Sequence, residues 1–311
     1  MNFADRLQHK IQACGNACLV GIDPHLELLP PPYGSAREVH RPRAERAQAL
    51  ADFCCEVIDV VAGKVPAVKP QSAFFEVFGA DGAGAWERVV RQAHAADLLV
   101  IGDVKRGDIA STAAAYATAF LEGTGSADQD SLCDAVTLNP FLGDDSIEPF
   151  LQCCARTGKG VYVLVRTSNK GSADFQRHGS PELSFVVADK VAAWGEALRG
   201  TGGWSSVGAV VGATHGGELR AFRERMPHTP LLLPGYGAQG AGARDVVDAF
   251  ESTPHGSFAG ALVNSSRGIT FAWREQAHRS KHWKDAARDA LNTMIAEINA
   301  ALTEHVRARS T

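Results

Sequence analysis

Eight short apolar runs punctuate the chain, at residues 17–22, 65–68, 98–101, 135–138, 161–165, 207–211, 231–233 and 259–263. Each is continuously apolar rather than alternating, which suits a strand buried on both faces of a parallel sheet. Between them the apolar positions fall at helical spacing, and helices are predicted over 44–62, 83–96, 109–121, 181–198 and 217–225. Strands that alternate with helices are βαβ units. Eight units in about 250 residues predict an α/β fold of the TIM (β/α)8-barrel type, since a doubly wound open sheet usually has fewer strands. Phe3, Leu7 and Ile11 recur every four residues and add an amphipathic helix over 1–13. Trp283, Ala286, Leu291, Met294, Ile298 and Leu302 add another over 281–307. A Pro-rich loop (30–34) follows the first strand and a Gly/Ser-rich loop (168–180) follows the fifth. No linker or further repeat divides the chain. Residues 1–311 therefore read as a single-domain barrel with extra N- and C-terminal helices.

The ends of the predicted strands sharpen the picture, because the C-terminal strand ends of such a barrel carry its chemistry. Strand one ends in Asp23 and strand two in Lys69. Strand three ends in Asp103 and Lys105, strand four in Asn139, and strand five in Thr167 and Ser168. Strand six ends in Thr214 and His215, strand seven in a glycine loop with Gln239, and strand eight in Ser265, Ser266 and Arg267. One polar strand end is an ordinary loop residue, but eight in register are a site. Asp103 and Lys105 are two apart, so in a strand both point the same way, into the barrel mouth. Gly107 permits a turn before Asp108. With Lys69 from the neighbouring strand, two ammonium and two carboxylate groups can share one pocket. Such a cluster titrates as a unit.

Gly235-Tyr236-Gly237-Ala238-Gln239-Gly240 matches the glycine pattern of dinucleotide folds, but it follows the seventh strand, and no acid ends the next strand to hold a ribose. A glycine loop there, followed by Ser265-Ser266-Arg267-Gly268, fits instead the common phosphate site of barrels. Backbone N–H groups of the loop, Gly237 among them, and Ser266 approach the phosphate oxygens. Arg267 adds a bidentate cation.

Composition changes little in this reading. Apolar residues make up 45% and charged residues 21%, with a formal net charge of −4, so no basic face for nucleic acid is indicated. Seven cysteines lack framework spacing, and the adjacent pairs Cys54-Cys55 and Cys153-Cys154 suit neither disulfides nor a zinc knuckle. Free buried thiols in a reducing cytoplasm are expected. No apolar run reaches the roughly 20 residues of a membrane span. The N-terminal pattern reads as a helix rather than a signal peptide.

These residues resemble the orotidine 5′-monophosphate decarboxylase family, and the resemblance covers nearly the whole chain. It rests on Asp103-x-Lys105-x-x-Asp108 with Ile109 and Thr112, Val20-Gly21-Ile22-Asp23-Pro24, Val68-Lys69-Pro70 and Thr167-Ser168-Asn169. It extends through Val211-Gly212-Ala213-Thr214, the run Pro234 to Gly240, and the Ser-Ser-Arg of strand eight. Asn139-Pro140-Phe141-Leu142-Gly143 and the longer loops resemble the extended bacterial subgroup. The resemblance implies conversion of orotidine 5′-monophosphate to uridine 5′-monophosphate and CO2 in de novo pyrimidine biosynthesis, with no cofactor and no metal. It implies Lys105 as the general acid that protonates C6, held by Asp103 and Lys69, with Lys69 and Asp23 also at the ribose. Ser168 would contact the pyrimidine, and Gln239 and Arg267 the phosphate. Asp108 and Thr112 would reach into a second subunit, making the enzyme a homodimer with shared active sites. The loop 168–180 is then a lid.

Two other readings stay open at this point. A sugar-phosphate enzyme of the same superfamily would hold magnesium with a carboxylate at the end of strand two, where this chain has Lys69, a poor neighbour for a hard cation. A non-catalytic phosphate sensor would need no cluster of alternating charges.

Overall fold

The computed structural model describes residues 1–237, 240–252, 258–278 and 280–310. Eight parallel strands close a barrel: β1 (Cys18–Ile22), β2 (Ala67–Pro70), β3 (Leu99–Arg106), β4 (Ala135–Leu138), β5 (Gly160–Arg166), β6 (Val207–Val211), β7 (Leu231–Pro234) and β8 (Ala261–Ser265). Each strand pairs with the next in sequence, and β8 pairs with β1, with Val20 opposite both Ser265 and Val68. Five strands, β1, β2, β4, β6 and β8, are buried at every position, which is why their apolar stretches run without alternation.

Three strands differ from the sequence expectation by two residues or more at a boundary, each for a physical reason. β2 starts at Ala67 rather than residue 65 because Pro66 has no N–H to give the ladder. β3 continues past its apolar run to Arg106, pairing with β4 across a register shift between Gly102 and Arg106. β8 begins only at Ala261. Gly260 (φ +88°) breaks it from Phe258–Ala259, which pairs instead with Glu251–Ser252 in a small antiparallel ribbon.

Helices α1 (Phe3–Cys14), α2 (Arg43–Val61), α3 (Gly79–Ala95), α4 (Ala110–Ala117), α5 (Asp144–Thr157), α6 (Leu183–Gly195), α7 (Gly216–Arg225) and α8 (Trp283–Ser310) surround the barrel. α5 went unread in the sequence, where Pro149 inside it argues for a break. α1 is capped by the Asn2 side chain, which accepts from Asp5 N at 3.0 Å, and it ends at Gly15 in the left-handed region. It crosses the barrel floor, where Phe3 meets Tyr162 edge-to-face at 6.0 Å. All six apolar positions that predicted α8 are buried. Trp283 packs its ring 5.3 Å from Phe53 and 6.0 Å from Tyr33, which ties α8 to α2 and to the Pro-rich loop. The seven cysteines are free, and six are buried. No helix among the described residues is long and apolar enough to cross a membrane.

Candidate active site

The strand ends converge on one buried carboxylate. Lys69 Nζ donates to Asp103 Oδ2 at 2.6 Å, Lys105 Nζ to Asp103 Oδ1 at 2.5 Å, and Thr137 Oγ1 to Asp103 Oδ1 at 2.9 Å. Lys69 and Asp103 are buried side by side, whereas the Lys105 side chain is 45% exposed. Simple strand alternation does not bring Lys105 to Asp103. Lys105 has φ +44°, and its own N–H is held by Thr137 Oγ1 at 3.0 Å. A non-glycine residue in that region costs on the order of 1 kcal/mol or more, which the surrounding structure must impose. Thr137 thus fixes both members of the pair.

Electrostatics hold the array charged. Burial pushes the Asp103 carboxyl up, but Lys69 and Lys105 outweigh it and bring it below the ordinary aspartate range. Burial pushes the Lys69 ammonium down, and the carboxylates of Asp103 and Asp23 more than reverse that.

Two cavities meet at this pair. One, of about 390 Å³, is lined by Lys69, Asp103, Lys105, Ser168, Gln176 and Pro234 among others. The other, of about 410 Å³, is lined by Lys69, Asp103, Asp23, Asn264, Ser266 and Arg267, with Tyr236 in its wall. The second lobe holds three buried polar atoms with no hydrogen-bond partner: Asp23 Oδ1, Asn264 Oδ1 and Ser266 Oγ. Buried polar atoms are normally paired, so such a group points to a polar ligand. Gly21 makes this wall possible, since a Cβ there would sit 2.9 Å from Ser266 Cβ and 3.1 Å from Asn264 Oδ1. A larger cavity, about 630 Å³, lies away from the charges, between α3 and the segment after α4, lined by Phe75, Trp86 and Phe120.

The expected residues separate into groups. Lys69, Asp103 and Lys105 are together, with Ser168 in one lobe and Asp23, Ser266 and Arg267 in the other. Asp108 and Thr112 line neither lobe. Asp108 Oδ1 accepts from Ile109 N at 2.8 Å, and Thr112 is exposed. Gly237 is exposed at φ +71° in the loop after β7. Gln239 lies outside the described residues, as does the side chain of His215.

Besides Thr137, two residues went unnoticed in the sequence. Asn264 sits two before Ser266 on β8 and faces the same lobe, a signal that the strand period alone carries. Gln176 ends a four-residue helix, Ala173–Gln176, in the loop after β5. Its Oε1 accepts from Thr167 N and its Nε2 donates to Thr167 Oγ1, both at 2.8 Å. Ser172 of the same loop is buried, accepting from Arg166 Nη1 at 2.8 Å. The loop over the first lobe is thus pinned at both points. No periodic pattern marks either residue. Among the described residues no group of three or more His, Cys, Asp or Glu is placed to hold a metal ion.

Known proteins share this architecture. An orotidine 5′-phosphate decarboxylase of Rhodopirellula baltica is 44% identical over 307 residues, covering 96% of this chain and 99% of the relative. One from Deinococcus radiodurans is 39% identical over 301 residues, with 96% and 98% covered. Among solved structures, Leishmania donovani OMP decarboxylase is 33% identical with a TM-score of 0.72, covering 97% of this chain and 100% of that one. A Methanocaldococcus jannaschii enzyme complexed with the inhibitor BMP, at 18% identity and TM-score 0.56, shares the fold over 78% of this chain and 93% of its own. The model of the Orotidine 5′-phosphate decarboxylase / HUMPS family matches residues 20–279, and this chain belongs to that family.

Proposed function

We propose that this chain, acting as one domain over 1–311, decarboxylates orotidine 5′-monophosphate to uridine 5′-monophosphate and CO2 in pyrimidine biosynthesis in the cytoplasm. The observation that carries the reading is the buried Lys69–Asp103–Lys105 array at the junction of two lobes. In this reading the lobe with Ser168 takes the pyrimidine, and the lobe with Asp23, Asn264, Ser266 and Arg267 takes the ribose and phosphate. Gln239 and Gly237 of the glycine loop complete the phosphate grip.

The chemistry follows from the charges. The bond from C6 to the carboxylate breaks, CO2 leaves, and the electron pair stays on C6. That carbon has no built-in electron sink. A fixed ammonium beside it stabilises the developing charge and then supplies a proton. Lys105 is the reachable donor, because its side chain lines the first lobe and is half exposed, whereas Lys69 is buried. Solvent reprotonates its Nζ after turnover. Lys69, buried and paired, holds Asp103 in place and meets the ribose side. Phosphate binding remote from C6 supplies energy for orientation and closure.

The outward placement of Asp108 and Thr112 supports a homodimer in which each serves the partner's site. Ile109, Val77, Phe141 and Leu142 are exposed apolar residues in the segments that follow β2, β3 and β4. Exposed apolar side chains at successive strand ends are what an interface between two copies would cover. Mixing a Lys69→Ala chain with an Asp108→Ala chain should restore activity, with about a quarter of the sites intact in a random mixture of two-fold dimers. A verified heterodimer with no activity rules out sharing.

The activity itself is tested by the ultraviolet loss of orotidine 5′-monophosphate, with and without EDTA. Loss unaffected by EDTA is expected. Strong inhibition by EDTA would return the metal-dependent sugar-phosphate reading.

A further inference from the structure

The described residues of the glycine loop after β7 are mostly glycine. Gly235, Gly237 and Gly240 all lie at positive φ, at 107°, 71° and 94°. Such positions are conformationally free in the unfolded chain and costly to order. The loop is closed by Gly240 N donating to Gly237 O at 2.8 Å and by Gly237 N donating to Ala241 O at 2.9 Å. Its one described side chain with a fixed destination is Tyr236. The ring is buried, and the hydroxyl donates to Glu297 Oε2 at 2.5 Å. Glu297 belongs to α8, the helix outside the eight βα units, and is itself exposed. α8 also meets the chain just beyond the loop, where Arg244 Nη2 lies 3.5 Å from Glu304 Oε2.

We propose that α8 braces the phosphate loop, and that Glu297 is a positioning residue for phosphate binding, acting through the Tyr236 hydroxyl. The inference rests on the lobe assignment above. Tyr236 lines the second lobe on one side and reaches the helix with its hydroxyl, so its backbone position sets where the N–H groups of the glycine loop point. A hydrogen bond to a carboxylate is roughly twice as strong as a neutral one, and this one ties the loop's side chain to α8. Burial, followed by the Glu297 carboxylate, pushes the phenol's pKa up, so the hydroxyl remains the donor throughout the neutral range.

The test separates positioning from mere stability. Glu297→Ala should raise KM for orotidine 5′-monophosphate about tenfold, the equivalent of one charged hydrogen bond, while kcat stays within about twofold. Turnover of orotidine, which lacks the phosphate, should not change. Glu297→Gln, whose amide oxygen still accepts from the phenol, should recover most of the loss. Tyr236→Phe should show the same KM rise, and the double variant should be no worse than either single one. A parallel calorimetric series compares affinities for uridine 5′-monophosphate and uridine. The nucleotide's advantage over the nucleoside should shrink about tenfold in Glu297→Ala. Equal losses for phosphorylated and unphosphorylated ligands, or an unchanged KM and nucleotide affinity, would overturn the brace. A wild-type chain that binds the nucleotide but does not decarboxylate overturns the proposed activity and leaves the calorimetric series to decide this inference.

Discussion

The two ends of the barrel each bury one aspartate among cations, and they use it in opposite ways. On the floor, Asp134 sits at the start of β4 and is buried. Its Oδ1 takes Arg6 at 2.7 Å and Lys159 at 3.6 Å. Its Oδ2 takes His94 Nε2 at 3.1 Å and Val100 N at 2.9 Å. At the mouth, Asp103 is equally buried and takes Lys69, Lys105 and Thr137. Burial opposes ionisation in both, and the cations around each win. What differs is what lies beyond the carboxylate. The floor cations belong to α1, α3 and the lead into β5, and they fasten these elements to the barrel. The mouth cations open on two cavities beside unpartnered polar atoms. A buried ion pair is thus no sign of function by itself. Unused hydrogen-bonding capacity around the pair is the sign.

Substitutions at the two ends should split activity from stability. The largest effect is expected at the mouth. Lys105→Ala should lower kcat for orotidine 5′-monophosphate by about 10³-fold or more, with Tm changed by about 2 °C or less. Near wild-type turnover would defeat the general-acid role. Asp134→Asn should do the reverse. It leaves half-buried Arg6 and the more deeply buried Lys159 without their carboxylate and should lower Tm by about 5 °C or more, with kcat at permissive temperature within about twofold. A large kcat loss at unchanged Tm would end the contrast.

The smallest effect concerns pH. Burial pushes the His94 ring's pKa down, but the hydrogen bond and charge of Asp134 raise it above its ordinary value of 6.5, against a smaller opposing push from Lys159. A group with a raised folded pKa stabilises fully below its unfolded value and stops doing so as pH rises through the folded one. Stability from this pair is therefore present below about pH 6.5 and declines above it. Tm of the wild type should fall relative to a His94→Gln variant by about 2 °C over that rise. Parallel Tm curves for the two chains would show that His94 stays neutral.

How much of this was legible in the sequence depends on what each element buries. β1, β4 and β6 are buried throughout, and their apolar runs mark them. α8 shows its helical spacing because one face is buried along its length. β3 was cut short because charged residues, Asp103, Lys105 and Arg106, interrupt its apolar pattern. Hydrophobic pattern sees only the core. Lys69, Asp103 and Lys105 were found as strand ends, yet the device that joins the last two, Thr137 with a left-handed Lys105, is a tertiary contact with no local signature. Asn264 was hidden for a different reason. It falls between the apolar run that ends at Val263 and the polar strand end that begins at Ser265, and its place is clear only when Asp23 and Ser266 are seen beside it.

The Lys69–Asp103 pair is a party wall. Both lobes are built against it, so a molecule in either one touches the same two ions. Under the proposed assignment of base and ribose phosphate, substrate fragments placed one in each lobe would be thermodynamic neighbours even with no bond joining them. Whatever one fragment does to the orientation or hydration of that pair is felt by the other. Linkage makes the influence mutual and equal in size.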